Sequence, residues 1–189
     1  YTSNFIPAST QPDIIKDSPS GTVYDSALEK PVNGAVSFGK DGTSYLTAGS
    51  SSDFTMGTGD FTVECWINLA AYNNAGIFQI SSAAGGFTST GFNNTITVWI
   101  VDQGFWKYNA NGAEKVTTIV PSLHMWHHVA LVRNSGTTSL YVNGILLKSD
   151  TDTTNYDGTY IGIGGYYSTT YLIDGLISNF RVVKGTALY

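Results

Sequence analysis

The chain has 189 residues, a length that all-β proteins reach as a single domain, with 42% hydrophobic, 13% aromatic and only 12% charged residues. Such aromatic content with so little charge excludes a disordered chain, and nine basic against fourteen acidic residues, spread thinly, exclude the basic footprint of a nucleic-acid binder or of a protein drawn to anionic membranes. The one cysteine, Cys65, excludes an internal disulfide framework, and no apolar run approaches the ~20 residues of a membrane span.

In chain order, residues 1–33 come first as a polar lead-in that carries Pro7, Pro12, Pro19 and Pro31, leaving only Pro121 for the rest. This composition predicts a connecting arm or edge segment, packed on this domain or on a neighbour. The body, residues 34–189, alternates short apolar runs with turn clusters. Val36 to Phe38 leads into a turn at Asp41-Gly42, and Tyr45-Leu46-Thr47 follows. Phe61 to Leu69 alternates strictly, with Phe61, Val63, Cys65, Ile67 and Leu69 on one face and Glu64 on the other. Ile77 to Ile80, Thr95 to Val101 and Phe105 to Tyr108 are strands, the last turning back at Asn111-Gly112. Trp126 to Arg133 precedes the turn Asn134-Ser135-Gly136, and Leu140-Tyr141-Val142 reaches Asn143-Gly144, a strong hairpin signal. Tyr160 to Ile163 and Asp174 to Val183 close the series. The pattern predicts about ten to twelve antiparallel strands and no amphipathic helix, which must stack as a two-sheet sandwich.

Five segments carry a family likeness. They are Gly34 to Leu46 with its Phe38 and Asp41-Gly42, Asp60-Phe61-Thr62-Val63-Glu64-Cys65-Trp66-Ile67, Trp126-His127-His128-Val129-Ala130, Leu140-Tyr141-Val142-Asn143-Gly144, and Gly175 to Arg181. In this order, over residues 34 to 183, they resemble the laminin-G-like, concanavalin A-like lectin and glucanase group. The resemblance implies an all-β, antiparallel jelly-roll β-sandwich. In related phage and bacterial surface proteins the closing strand runs on as in Val183 to Tyr189, and Tyr1 to Pro7 resembles the continuation of that text. This likeness suggests one unit of a tandem array.

Catalytic chemistry finds little support. Glycoside hydrolysis needs two carboxyl groups ~5–9.5 Å apart, yet positions 66 and 68, which share a strand face with Glu64, are Trp and Asn. His127 and His128 are adjacent in a strand and point to opposite faces, so they cannot share an ion, and packing is the expected role for both. Cys65 lacks a cationic neighbour in sequence and reads as a core thiol. Related modules often hold calcium, which makes the ion an expected option here. Asp102 and Asp174 are the leading candidate ligands, with Asp41, Asp150, Asp152 and Asp157 in similar turns. Sugar recognition calls for aromatic faces beside neutral hydrogen-bonding groups. Two clusters qualify: Trp106, Tyr108 and Asn109, and Tyr166, Tyr167 and Tyr171.

The expected function is therefore a non-catalytic extracellular module, structural or adhesive, in a viral fibre, on a virion surface or in a bacterial surface assembly. Its partners would be further copies or neighbouring repeats, with no nucleic acid and no membrane insertion. The alternative is a lectin-like module that recognises surface glycans.

Overall fold

The computed structural model describes residues 34–39 and 44–189. The arm expected over 1–33 and the Asp41-Gly42 turn lie outside these residues. The described chain is all β apart from two single-turn 3-10 helices, Ser52–Phe54 and Phe92–Asn94. Its strands are β1 (Val36–Phe38), β2 (Leu46–Ala48), β3 (Phe61–Leu69), β4 (Ala75–Ser81), β5 (Ile96–Ile100), β6 (Trp106–Ala110), β7 (Ala113–Val116), β8 (Trp126–Asn134), β9 (Thr137–Val142), β10 (Ile145–Thr151), β11 (Tyr160–Ile163), β12 (Gly165–Tyr166), β13 (Tyr171–Leu172) and β14 (Gly175–Lys184). The surplus over the predicted number comes from pieces of two to four residues, too short to show a period in sequence.

Two sheets stack face to face. One has six strands in the order β1-β14-β3-β8-β9-β10; the other has eight, with β12-β13-β4-β5-β6-β7 as its main path, β11 paired to β4, and β2 paired to β11. Alternation fills the space between them. Phe61, Val63, Cys65, Ile67 and Leu69 of β3, Val129 and Leu131 of β8, and Leu140 and Val142 of β9 meet Ile77, Ile80, Ile96, Val98 and Ile100 of the facing sheet in one buried core. Three two-residue hairpin turns set the registers. Asn111-Gly112, Ser135-Gly136 and Asn143-Gly144 all have positive φ at both positions, from 49° to 77°, as the twist-matched type I′ turn requires.

One irregularity aims side chains. Along β14 the pairing passes from Ser178↔Trp66 to Arg181↔Glu64, so Asn179 and Phe180 together face Cys65. Asn179 takes the left-handed conformation (φ 51°) that such a bulge accommodates. The extra residue sends Phe180 inward against the Phe78 ring (centroids 5.5 Å apart) and leaves Arg181 on the outer face.

A buried polar knot closes one end of the sandwich. Arg133, 1% exposed, donates to the carbonyls of Asp152 (2.6 Å) and Thr154 (2.7 Å), and its guanidinium sits over the Tyr156 ring. The Asp152 carboxylate accepts from Thr138 Oγ1, Tyr156 Oη and the backbone N–H groups of Asn111 and Thr154. Burial opposes its ionisation, but these four donors outweigh that and hold its pKa below the ordinary range. A buried charge so enclosed by donors is stable where an isolated one would not be.

Candidate functional site

The outer face of the eight-stranded sheet carries an aromatic cluster. Trp99 of β5 points away from the core, because Val98 and Ile100 on either side of it point inward. Tyr166 of β12 stacks on its indole, with centroids 5.1 Å apart and planes 16° from parallel. Phe92, at the start of the second 3-10 helix, packs edge-on against Trp99, and its ring is also close to Tyr166 and Tyr167. Tyr171 of β13 completes the group at 5.3 Å from Tyr166 and 5.7 Å from Tyr167. Trp99 is 1% exposed and Tyr166 is 8%, but Tyr167 stands 40% exposed. Lys107 lies over the Trp99 ring and pairs with Glu114 at 3.1 Å.

The polar groups beneath this cluster explain its shape. Gln79 of β4, fully buried, accepts from the backbone N–H groups of Tyr167 (3.2 Å) and Thr88 (2.8 Å) and donates to the Thr88 carbonyl. Asn109 donates to the Phe92 carbonyl at 2.7 Å and to Thr95 Oγ1 at 3.1 Å. One amide thus fixes Tyr167 and the β4–β5 loop together, and the other fixes the 3-10 helix. Tyr167 itself has φ 62°, an unfavourable conformation for a bulky residue that persists only where its surroundings impose it. Burial, and then the neighbouring Tyr171, push the Tyr166 phenol up from its ordinary pKa, so it is a neutral hydroxyl at physiological pH.

The structure therefore brings together Tyr166, Tyr167 and Tyr171, and separates the other aromatic candidates from them. Trp106 and Tyr108 are both fully buried, because alternation along β6 turns them into the core while Lys107 and Asn109 face outward. The expectation of a stacking surface at Trp106 and Tyr108 is corrected accordingly. Tyr108 spends its hydroxyl on Asp150 (2.5 Å), and Asn109, though on the outer face, is covered by Phe92 and Thr95. Sequence reasoning missed Trp99 and Phe92. The alternation Ile96-Thr97-Val98-Trp99-Ile100 did signal an outward Trp99; Phe92 lay in a Gly- and Asn-rich loop without a period.

Among the described residues no three His, Cys, Asp or Glu side chains converge, so Asp102, in the β5–β6 turn, and Asp174, before β14, do not form a ligand set with others of these types. Asp152 has its carboxylate occupied as described, and Asp150 accepts from Tyr108. His127 and His128 do point to opposite faces. His127 is buried, with Nε2 3.0 Å from the Ser122 carbonyl, which requires a proton on that nitrogen. Cys65 is fully buried, and burial, then the nearby Glu64 charge, push its thiol pKa up.

The outer face of the six-stranded sheet holds a second polar group. Glu64, 6% exposed, is gripped by Arg181, whose Nε donates at 2.6 Å and whose Nη2 also meets the carboxylate. His128 Nε2 lies 3.4 Å away and the Tyr189 hydroxyl donates at 2.6 Å. Burial alone would raise this carboxyl, but the hydrogen bonds from His128 and Tyr189 and the positive charges of His128 and Arg181 prevail and hold its pKa at about 2. These partners are a guanidinium, an imidazole and a phenol, so Glu64 serves here as an anchor for charge rather than as half of a carboxylate pair. Residues 185–189 cross this face: Gly185 N–H donates to the Asp60 carbonyl, and Thr62 Oγ1 bridges the Thr186 carbonyl and the Leu188 N–H.

The profile of the concanavalin A-like lectin/glucanases superfamily matches residues 40–188. The chain belongs to this superfamily. A search of curated protein sequences found no match. Among solved structures, domain 4 of AbnA, a GH43 extracellular arabinanase from Geobacillus stearothermophilus determined with arabinotriose, aligns with TM-score 0.59 at 15% identity, over 81% of this chain and 71% of that one. Domains LG4-5 of the mouse laminin alpha1 chain align with TM-score 0.56 at 20% identity, over 82% of this chain and 42% of that one. The heptameric SAP-like pentraxin from Limulus polyphemus aligns with TM-score 0.55 at 19% identity, over 77% and 71%. Identities this low show a shared fold alone. Among the described residues no helix is long and apolar enough to cross a membrane.

Proposed function

We propose that the chain is a non-catalytic, extracellular glycan-binding module, and that the Tyr166–Tyr167–Tyr171 cluster is its contact surface. The observation that carries this reading is Tyr167. It is an aromatic ring 40% exposed, in a left-handed backbone conformation imposed through Gln79, and backed by further rings. An exposed, rigid aromatic face beside hydroxyl groups, here those of Ser168, Thr169 and Thr170, is what a sugar ring stacks against. The low charge of the chain suits a neutral ligand, and the arabinotriose bound to the related arabinanase domain makes arabino-oligosaccharides a first probe.

In a viral fibre, on a virion surface or in a bacterial surface array, such a module would contribute weak adhesion that repetition multiplies. Pairing between copies through sheet edges is less well supported. The outermost strands β1, β2 and β12 have only two or three residues, β7 carries Glu114 and Lys115, and β10 is broken by a bulge between Leu146 and Lys148. These are the devices that blunt an edge against strand addition.

A glycan array followed by calorimetry tests the proposal. Tyr167→Ala should weaken the best glycan at least about tenfold, with no reducing ends released from the ligand by the unmodified chain. Equal affinity in the variant would sink the assignment of the site, and ligand cleavage would overturn the non-catalytic reading.

A further inference from the structure

A groove of about 360 Å³ lies on the outer face of the six-stranded sheet, on the side of the sandwich away from the tyrosine cluster. Val132, Asn134, Ser135, Thr137 and Ser139 line it together with the rings of Tyr141 and Tyr189. The pairing Val132↔Ser139 shows why these side chains share a face: Thr137, Ser139 and Tyr141 alternate with the inward Thr138 and Leu140. The two rings stand 6.0 Å apart at 42° and form an aromatic wall. Tyr189 is held there by its hydrogen bond to Glu64 and by the edge contact of its ring with His128, so the wall is braced from behind. Ser139 Oγ is fixed by Ser149 Oγ at 2.6 Å.

The lining restricts the ligand. Its size falls in the range of small-molecule sites. It presents hydroxyls and an amide but no charged side chain, and the carboxylates bonded to its lining are already engaged, Asp60 by the Ser135 N–H and Glu64 by Arg181. An anion or cation would lose its hydration without a counter-charge, which is costly. One aliphatic residue offers too little surface for an apolar ligand. What remains is a compact, uncharged polyol with an apolar ring face to set against an aromatic wall.

We infer that this groove is a second carbohydrate site, for a single neutral pyranose or furanose residue, with Tyr141 and Tyr189 as the stacking wall and Asn134, Thr137 and Ser139 as the hydrogen-bonding floor. The inference takes its ligand class from the proposed function but uses different residues on the opposite sheet. The chain then has two sugar contacts facing away from each other, so one copy joins two glycans.

The test is amide chemical-shift mapping on the full chain with glucose, galactose, mannose and arabinose, each at about 20 mM, enough to occupy a millimolar site. Saturable shifts at Asn134–Tyr141 and Leu188–Tyr189 that weaken about tenfold in Tyr141→Ala, with the Tyr166–Tyr171 amides unaffected by that substitution, are the expected result. Ser139→Ala, a change too small to threaten the fold, should weaken the same shifts severalfold. Shifts confined to Tyr166–Tyr171 would overturn the groove and leave the first site standing. Shifts confined to the groove would support it and remove the first site, and silence at both with all four sugars would overturn both.

Discussion

Glu64 shows how much of a site depends on partners far away in the chain. Its carboxylate is satisfied by Arg181, 117 positions later, and by Tyr189, 125 positions later. A carboxylate whose pKa falls from 4.5 to about 2 on folding adds stability above pH 4.5, and that stability fades as the pH drops from 4.5 towards 2. The contribution is on the order of 3 kcal/mol. Urea unfolding at a series of pH values should therefore show the unmodified chain losing its advantage over Glu64→Gln in that acid window, whereas parallel pH profiles would contradict the assignment. The strand face of Glu64, the burial of Cys65 and the opposed directions of His127 and His128 were all legible from alternation. The Glu64 partners were not, because a single inserted residue in β14 decides whether Arg181 or Phe180 meets the outer face.

At the scale of elements, close approach of backbones sets where the tyrosines stand. Gly76 of β4 lies under β12, and a Cβ there would overlap the backbone of Gly165 and Tyr166. Gly76→Ala must push β12 outward, so it should cost about 1–3 kcal/mol, as overpacking does, and weaken glycan binding along with Tm. A variant with unchanged melting and affinity would show that β12 is not so placed. The long strands and their three Gly-containing hairpins were legible because period and turn chemistry agree. The strands β12 and β13, two residues each, leave no periodic trace, and they enter the sheet only by tertiary pairing with each other and with β4. Tyr166, Tyr167 and Tyr171 could be nominated by composition without any view of what they pack on. Trp106 and Tyr108 were misjudged for the converse reason: an aromatic cluster beside a turn was read as a surface, although positions 106, 108 and 110 share one face of a strand whose partner face is core.

At the scale of the whole molecule, the described residues bury most of their large apolar side chains between two sheets, keep the edge strands short, charged or bulged, and leave tyrosines and hydroxyls on both outer faces. Protected edges predict a chain that stays monodisperse at high concentration, which light scattering after size exclusion can check. Concentration-dependent oligomers would return self-assembly to the foreground. The fold was legible as a whole because several motifs in series each constrain a different strand. The division of labour between the faces was not, since it rests on which loops and which terminal residues cover each sheet. The most direct test of the central claim is a crystal structure of the chain with its tightest glycan. A sugar ring set against Tyr167, within reach of Tyr171 and the hydroxyls of residues 168–170, is the predicted result. A glycan bound only elsewhere, with the Tyr167 ring still facing solvent, would contradict it.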